Sequence, residues 1–174
     1  FRLFELEGIW PTQERAVVVA LIPNSNGGLR PIAVFRSAYR IYAESHTRAV
    51  RSWAAFFPDA HRNNLKDRWV GDSTWRAQIR SCVQSEKHHN EFLLVVKEAF
   101  EHVRRDSVAR EAKMQGYPLI SLLASISSYA WPRYIGLDGL LADSIVASRS
   151  IAAGSAFATC QPWCLLRNAI SSLQ

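Results

Sequence analysis

The stretch Val17–Phe35, "VVVALIPNSNGGLRPIAVF", constrains the fold more than any other part of the chain. Two apolar, β-branched runs flank the hexapeptide "PNSNGG". Proline, asparagine and glycine supply turn backbone, while the flanking runs suit a pleated, half-buried surface, so the segment predicts a β-hairpin. Directly after it, Arg36–Phe56 predicts a helix. Ala38, Tyr42, Ala49, Trp53 and Phe56 recur at the helical period and predict its buried face. Arg36, Arg40, Arg48 and Arg51 fall within about 120° of one another, at ~100° per residue, on roughly the opposite side.

The remaining elements mix strands and helices without βαβ alternation. Residues 1–15 read as irregular, with Pro11 as a breaker. A polar, basic loop follows the first helix. Gly71-Asp72-Ser73 then offers start chemistry for a helix near Thr74–Ser85. Phe92–Val96 reads as a short strand. A helix over Asp106–Gln115 should stop at Gly116 and Pro118, and "PLISLLASISSYAW" gives another. Arg133–Asp138 and Leu140–Ala147 form a second hairpin turned by Asp138-Gly139. A last helix spans Ser155–Ser171. This order predicts an α+β fold.

At 174 residues the chain suits one domain. No apolar run approaches the ~20 residues of a membrane-spanning helix, so no membrane partner is expected. The formal charge is +6, and 17 of the 21 basic residues are Arg. Arginine's planar fork suits phosphate, so a nucleic-acid partner is expected. Cys82, Cys160 and Cys164 have neither an even count nor C-x2-C spacing. No disulfide framework or zinc site is expected; Cys160 and Cys164, one helical turn apart, read as packing residues, and the protein reads as intracellular, with nucleus and cytoplasm unresolved. His88-His89 read as a solvated loop, and His46, His61 and His102 show no evident partner. Most of the six tryptophans read as core.

Three ordered segments carry a resemblance: "VVVALIPNSNGGLRPIAVFRSAYRIYAE", "FLLVVKEAFEHVRRDSVAREAKMQGYPLISLLASI" and "RYIGLDGLLADSIVASRSIAAGSAFAT". The first resembles the fingers hairpin and following helix of reverse transcriptases, with I-P-K, a Gly-rich turn and R-P-I. The second resembles the first palm motif: a strand ending in aspartate, K-A-F-[DE]-x-V, a helix and L-G-[IY]-P. The third resembles the next palm segment, V-x-V-D-G followed by R-G-I-x-x-G and a helix. Together they cover about residues 17–172 and resemble an RNA-directed DNA polymerase of the non-LTR retroelement type.

The resemblance implies a partial right-hand polymerase fold, with an antiparallel palm sheet packed on helices. Residues 17–90 would be fingers-like and 91–174 palm-like, within one partial domain lacking the Asp-Asp motif and thumb. The start on Phe1 reads as a piece of a longer chain. Nucleotide-binding roles carry over to Arg30, Phe100, Arg149 and Gly154. Arg30 would contact the triphosphate, and Phe100 would stand where an aromatic side chain excludes a ribose 2′-hydroxyl. The pattern is broken elsewhere. Asn24 replaces the fingers lysine, Ser150 the first glycine of R-G-I-x-x-G, and Ala153 the usual glutamine.

The main departure is at the metal site. The family binds Mg²⁺ through carboxylates, and the first should occupy position 95, which is Val95. Glu98 and Glu101 lie past the strand end and read as solvated carboxylates near Lys97, Arg104 and Arg105. No catalytic residue, metal or cofactor is therefore expected in this chain, and no primer extension. The residual function expected is binding of RNA or an RNA–DNA hybrid through Arg36, Arg40, Arg48 and Arg51, with the basic loop at 61–68. The alternative is an unrelated basic α+β domain that binds a protein or RNA partner without catalysis. Oligomeric state is not set by the sequence.

Overall fold

A computed structural model describes residues 1–25, 27–57, 75, 78, 79, 81–83, 98–137 and 139–172. The predicted strand at 92–96, the loop at 61–68, and Trp69, His61, His88 and His89 lie outside them. The described residues within 75–83 are helical.

The chain opens with α1, Arg2–Glu7, where an irregular segment was expected. Phe4 is the reason. Its ring packs 4.1 Å from Trp10 and edge-on against Tyr42, so tertiary burial fixes a helix too short to persist alone. Gly8 ends the helix at φ 68, with its N–H on the Phe4 carbonyl. Pro11 falls beyond that end.

Strands β1 (Val17–Pro23) and β2 (Leu29–Phe35) form the predicted antiparallel hairpin, in register from Val17↔Phe35 to Pro23↔Leu29. α2 follows over Ser37–Ala55. Its buried residues are Tyr39, Tyr42, Ala43, Thr47, Val50, Trp53 and Ala54. The predicted face is therefore rotated: Ala49 and Phe56 are exposed and Ala38 is half-buried. The large rings of Tyr39, Tyr42 and Trp53 set the orientation, since each buried aromatic is worth about 2–3 kcal/mol and an alanine far less.

Beyond the outlying segment come α3 (Ala99–His102), α4 (Arg105–Met114) and α5 (Leu119–Tyr129). α4 ends in a Schellman turn, with Tyr117 N–H on Ala112 O and Gly116 N–H on Lys113 O. Gly116 takes φ 69 there. The fully buried Tyr117 anchors the exit.

The second hairpin is shorter than predicted and differently placed. β3 covers Arg133–Leu137 and β4 only Leu140–Leu141, with one further bridge from Arg133 to Ile145. β3 also pairs with β1, and that pairing is parallel, from Val17↔Arg133 to Ala20↔Gly136. The result is one mixed sheet of order β2-β1-β3-β4. The expected antiparallel palm sheet is thus corrected among the described residues. The inner edge of the first hairpin is completed by β3, and the long chain between them supplies the crossover that a parallel neighbour requires.

The mixed sheet and helices make the protein α+β. Val17, Ala33 and Phe35 point toward the helices and are buried. Val18, Val34 and Leu141 share the other face and stay exposed. α2 packs on α5, and α4 packs on both α5 and the last helix, α6 (Gln161–Ser171).

α6 starts six residues later than predicted. Residues 155–160 make successive turns instead, with Ala158 N–H on Ser155 O and Cys160 N–H on Phe157 O. Pro162 lies in the first turn, where its missing N–H costs nothing. Gln161, fully buried, is held by polar neighbours: Tyr129 donates to its Oε1 at 2.8 Å, and its amide donates to the Ser125 hydroxyl. The Ser128 hydroxyl donates to the Ser125 carbonyl and lies 2.9 Å from the Tyr39 hydroxyl. Tyr39, Ser125, Ser128, Tyr129 and Gln161 thus satisfy one another where α2, α5 and α6 meet.

Trp10, Trp53, Trp131 and Trp163 are core residues, as expected, while Trp75 is 64% exposed. Cys164 is buried and its thiol donates to the Cys160 carbonyl, one helical turn back. No helix among the described residues is long and apolar enough to cross a membrane.

Candidate nucleic-acid interface

All four arginines are exposed: Arg40, Arg48 and Arg51 on α2, and Arg36 at its N-cap, where the backbone is still extended. None makes an ion pair among the described residues. Their placement differs from the expected far side. The buried face runs through Ala43, Thr47 and Ala54, so at ~100° per residue Arg36, Arg40 and Arg51 border it. Only Arg48 stands nearer the opposite side. The arginines consequently face the rest of the domain obliquely, and Arg40 enters a cleft.

That cleft, about 490 Å³, lies between the start of α2 and residues 154–156. Ser37, Arg40, Glu44, Gly154 and Ser155 contribute to its wall. Gly154 is there because the 150–154 segment is stitched along β2. Ala33 N–H donates to Ala153 O at 2.6 Å, filling an edge position of the sheet. A Cβ at Gly154 would overlap the Ala33 carbonyl, and its φ of 110 is itself costly for any other residue.

The same segment is fastened on its other side. Ser150 N–H donates to Val103 O and Ile151 N–H to Phe100 O, both at 2.9 Å. Phe100 is half-buried against the hydrophobic core. Ser150 adopts φ 87, the left-handed region that favours glycine, at the position where the resemblance expects one. Phe100 and Gly154 are thus drawn to one backbone seam. Arg30 lies apart, exposed on β2 opposite Ile22 near the hairpin tip. Arg149 is exposed and lines a different concavity. Val95 is outside the described residues.

The charged neighbours of Phe100 pair differently from expectation. Glu98, at φ 50, lies 3.5 Å from His102, and Arg104 pairs with Asp106 at 2.7 Å. His46 also has a partner, Glu5 at 3.1 Å, which ties α1 to α2. The His46–Glu5 contact was not legible, because it depends on the fold, whereas Glu98 and His102 stand at an i,i+4 spacing that the sequence displays.

Two further arginines matter that sequence reasoning treated as ordinary charge. Arg105 donates to the carbonyls of Ala147, Arg149 and Ser150. Arg133 donates to the Ser150 hydroxyl at 2.9 Å and to the Tyr129 carbonyl at 3.0 Å. Together they clamp the segment leading into the seam. Burial lowers the pKa of both, and Arg133 lowers that of Arg105 further. The signal for Arg133 was present: strand alternation places it in phase with Ile135 on the inner side of the sheet.

The Mg²⁺ that the resemblance implies finds no donor set among the described residues, where no three His, Cys, Asp or Glu side chains converge. These residues do not fit the metal, and no step through it is derived. Comparison with known proteins finds no family model that matches this chain and no matching curated protein.

Proposed function

We propose that this chain is a reverse-transcriptase-like domain without polymerase activity in these residues, which binds RNA or an RNA–DNA hybrid through the α2 arginines. The observation that carries the reading is the backbone of residues 150–154. Two positions where the resembling pattern has glycine, Ser150 and Gly154, are those with φ of 87 and 110. The segment between them bonds on one side to Phe100 and Val103 and on the other to Ala33, three residues beyond Arg30. The resemblance therefore has a physical counterpart in a seam joining its three segments. Val95, standing where a carboxylate is required, is the reason no turnover is assigned.

Binding rests on exposed arginines without ion pairs among the described residues, along α2 beside a cleft. Such a stripe attracts a phosphate backbone without reading sequence, and its affinity must fall with salt. The test is fluorescence anisotropy with a labelled RNA–DNA hybrid. A dissociation constant of about 1–100 μM is expected at physiological salt, tightening as salt falls. Arg36→Ala combined with Arg40→Ala should weaken it. Binding that ignores salt, or none at low salt, overturns the reading. Separately, any Mg²⁺-dependent primer extension by the purified chain would refute the assigned inactivity.

A further inference from the structure

A second concavity, about 420 Å³, opens at the start of α4 and is lined by Arg104, Arg105, Asp106, Ser148 and Arg149. It shares no lining residue with the cleft beside α2. Three guanidiniums face it with one carboxylate, and that carboxylate is engaged. Asp106 accepts from Arg104 at both Nε (3.2 Å) and Nη2 (2.7 Å). Asp106 lies in the first turn of α4, so the one carboxylate at the helix start is already held by Arg104.

The remaining positive charge has no such partner. Arg105 is half-buried and its bonds go to neutral carbonyls. Arg133 stands behind it, also half-buried, bonded to a hydroxyl and a carbonyl. The acid acting on Arg133 is Glu101, which is exposed. Arg149, on the rim, is exposed and makes no ion pair or side-chain hydrogen bond among the described residues. Charges drawn partly out of water and toward one another are tolerated best when an anion joins them.

We propose that this concavity is a phosphate-binding site, with Arg149 supplying the free fork and Arg105 the fixed charge behind it. Guanidinium pairs with phosphate through two parallel N–H···O bonds, and a dianion matches the excess charge better than a single carboxylate. The site is separate from the α2 arginines and does not rest on them. The phosphate could belong to a free polyphosphate or to the phosphodiester backbone of a strand, and the chemistry of recognition is shared.

The experiment titrates sodium tripolyphosphate in one arm and a short oligothymidylate in the other. Both are read by isothermal calorimetry at low salt on the full chain, Arg149→Gln, Arg104→Gln and Arg40→Gln. Saturable tripolyphosphate binding that weakens roughly tenfold in Arg149→Gln and is unchanged in Arg40→Gln supports the site with a free polyphosphate. In the oligothymidylate arm, where Arg40 also contributes, a roughly tenfold loss in Arg149→Gln that exceeds the loss in Arg40→Gln, without tripolyphosphate binding, supports it with a phosphodiester. The Arg149 side chain has no partner among the described residues, and the bond its carbonyl accepts from Arg105 survives the substitution, so the variant should fold, which circular dichroism checks. Arg104→Gln should weaken binding less, because Asp106 already holds that side chain. No saturable binding in the millimolar range in either arm, or binding indifferent to Arg149→Gln, overturns the proposal. Loss confined to Arg40→Gln would leave the α2 reading standing and remove this one.

Discussion

The α2 arginines and the pair Arg105–Arg133 are the same residue type put to opposite uses. Arg40, Arg48 and Arg51 lie on one regular helix and Arg36 at its N-cap, all exposed and without ion pairs among the described residues. Arg105 and Arg133 come from elements far apart in sequence, half-buried, and their donors are committed to backbone carbonyls and a hydroxyl. The first set leaves its hydrogen-bonding capacity for a ligand. The second spends it on holding residues 147–150 in place. A net charge of +6 is therefore no measure of binding capacity, because part of the charge is fastening.

The sharpest way to break this contrast is a stability comparison. Arg105→Ala removes donors to three carbonyls and should cost about 2–3 kcal/mol, since net hydrogen bonds from charged groups are worth ~1.5–3 each and these are only half-buried. Arg40→Ala, at an exposed position without a partner, should change stability by no more than about 0.5 kcal/mol. Urea unfolding measures both, and equal losses would mean that α2 arginines are structural too. Affinity should show the reverse. Replacing Arg48 and Arg51 together should lower the salt slope for hybrid binding by about 0.7–0.9 per lost phosphate contact, while leaving the unfolding midpoint in place.

A smaller effect tests the clamp at its strained residue. Ser150 sits at φ 87 and accepts from Arg133. Both Ser150→Ala and Ser150→Gly lose that bond, but only glycine relieves the backbone. Ser150→Gly should therefore be about 1 kcal/mol more stable than Ser150→Ala, the inverse of their order in a helix or strand. If alanine is the more stable, the left-handed conformation is not what residue 150 adopts in solution.

The part of this contrast that could be read from sequence follows from how local each signal is. The hairpin Val17–Phe35 was legible because turn residues and alternation lie within one short segment. The C-terminus of α4 was legible because Gly116 and Pro118 act within a single turn. The exposure of the α2 arginines held although their phase did not, because a long charged side chain at the border of a buried face still reaches water. What failed depended on distant partners. α1 exists because Phe4 meets Trp10 and Tyr42, and the buried face of α2 was misplaced because alanines were weighed like tyrosines. The parallel pairing of β1 with β3 has no local signature. In the candidate site, Gly154 was marked by its place in a motif, yet its physical need, close approach to the Ala33 carbonyl, arises only once β2 lies beside it. The clamp was missed because Arg105 does not differ in sequence from a solvated arginine, and the strand phase that turns Arg133 inward names no partner for it.

Arg104 stands between the two classes, exposed yet paired, and offers the finest test. Its hydrogen bonds are the first cause holding the Asp106 carboxyl below the ordinary aspartate value, with backbone amides of α4 adding to it. A carboxyl depressed in the folded state contributes stability above its unfolded pKa, and that contribution is lost as pH falls through the folded one. Arg104→Gln should therefore move the Asp106 titration to higher pH, seen in its carboxyl carbon chemical shift, and start acid unfolding slightly earlier. Both groups are fully exposed, so the shift should be small and should shrink as salt rises. At neutral pH the variant should be as stable as the parent. A neutral-pH loss as large as that of Arg105→Ala would mean that exposure does not separate fastening arginines from free ones, and the contrast between the two sets would fail.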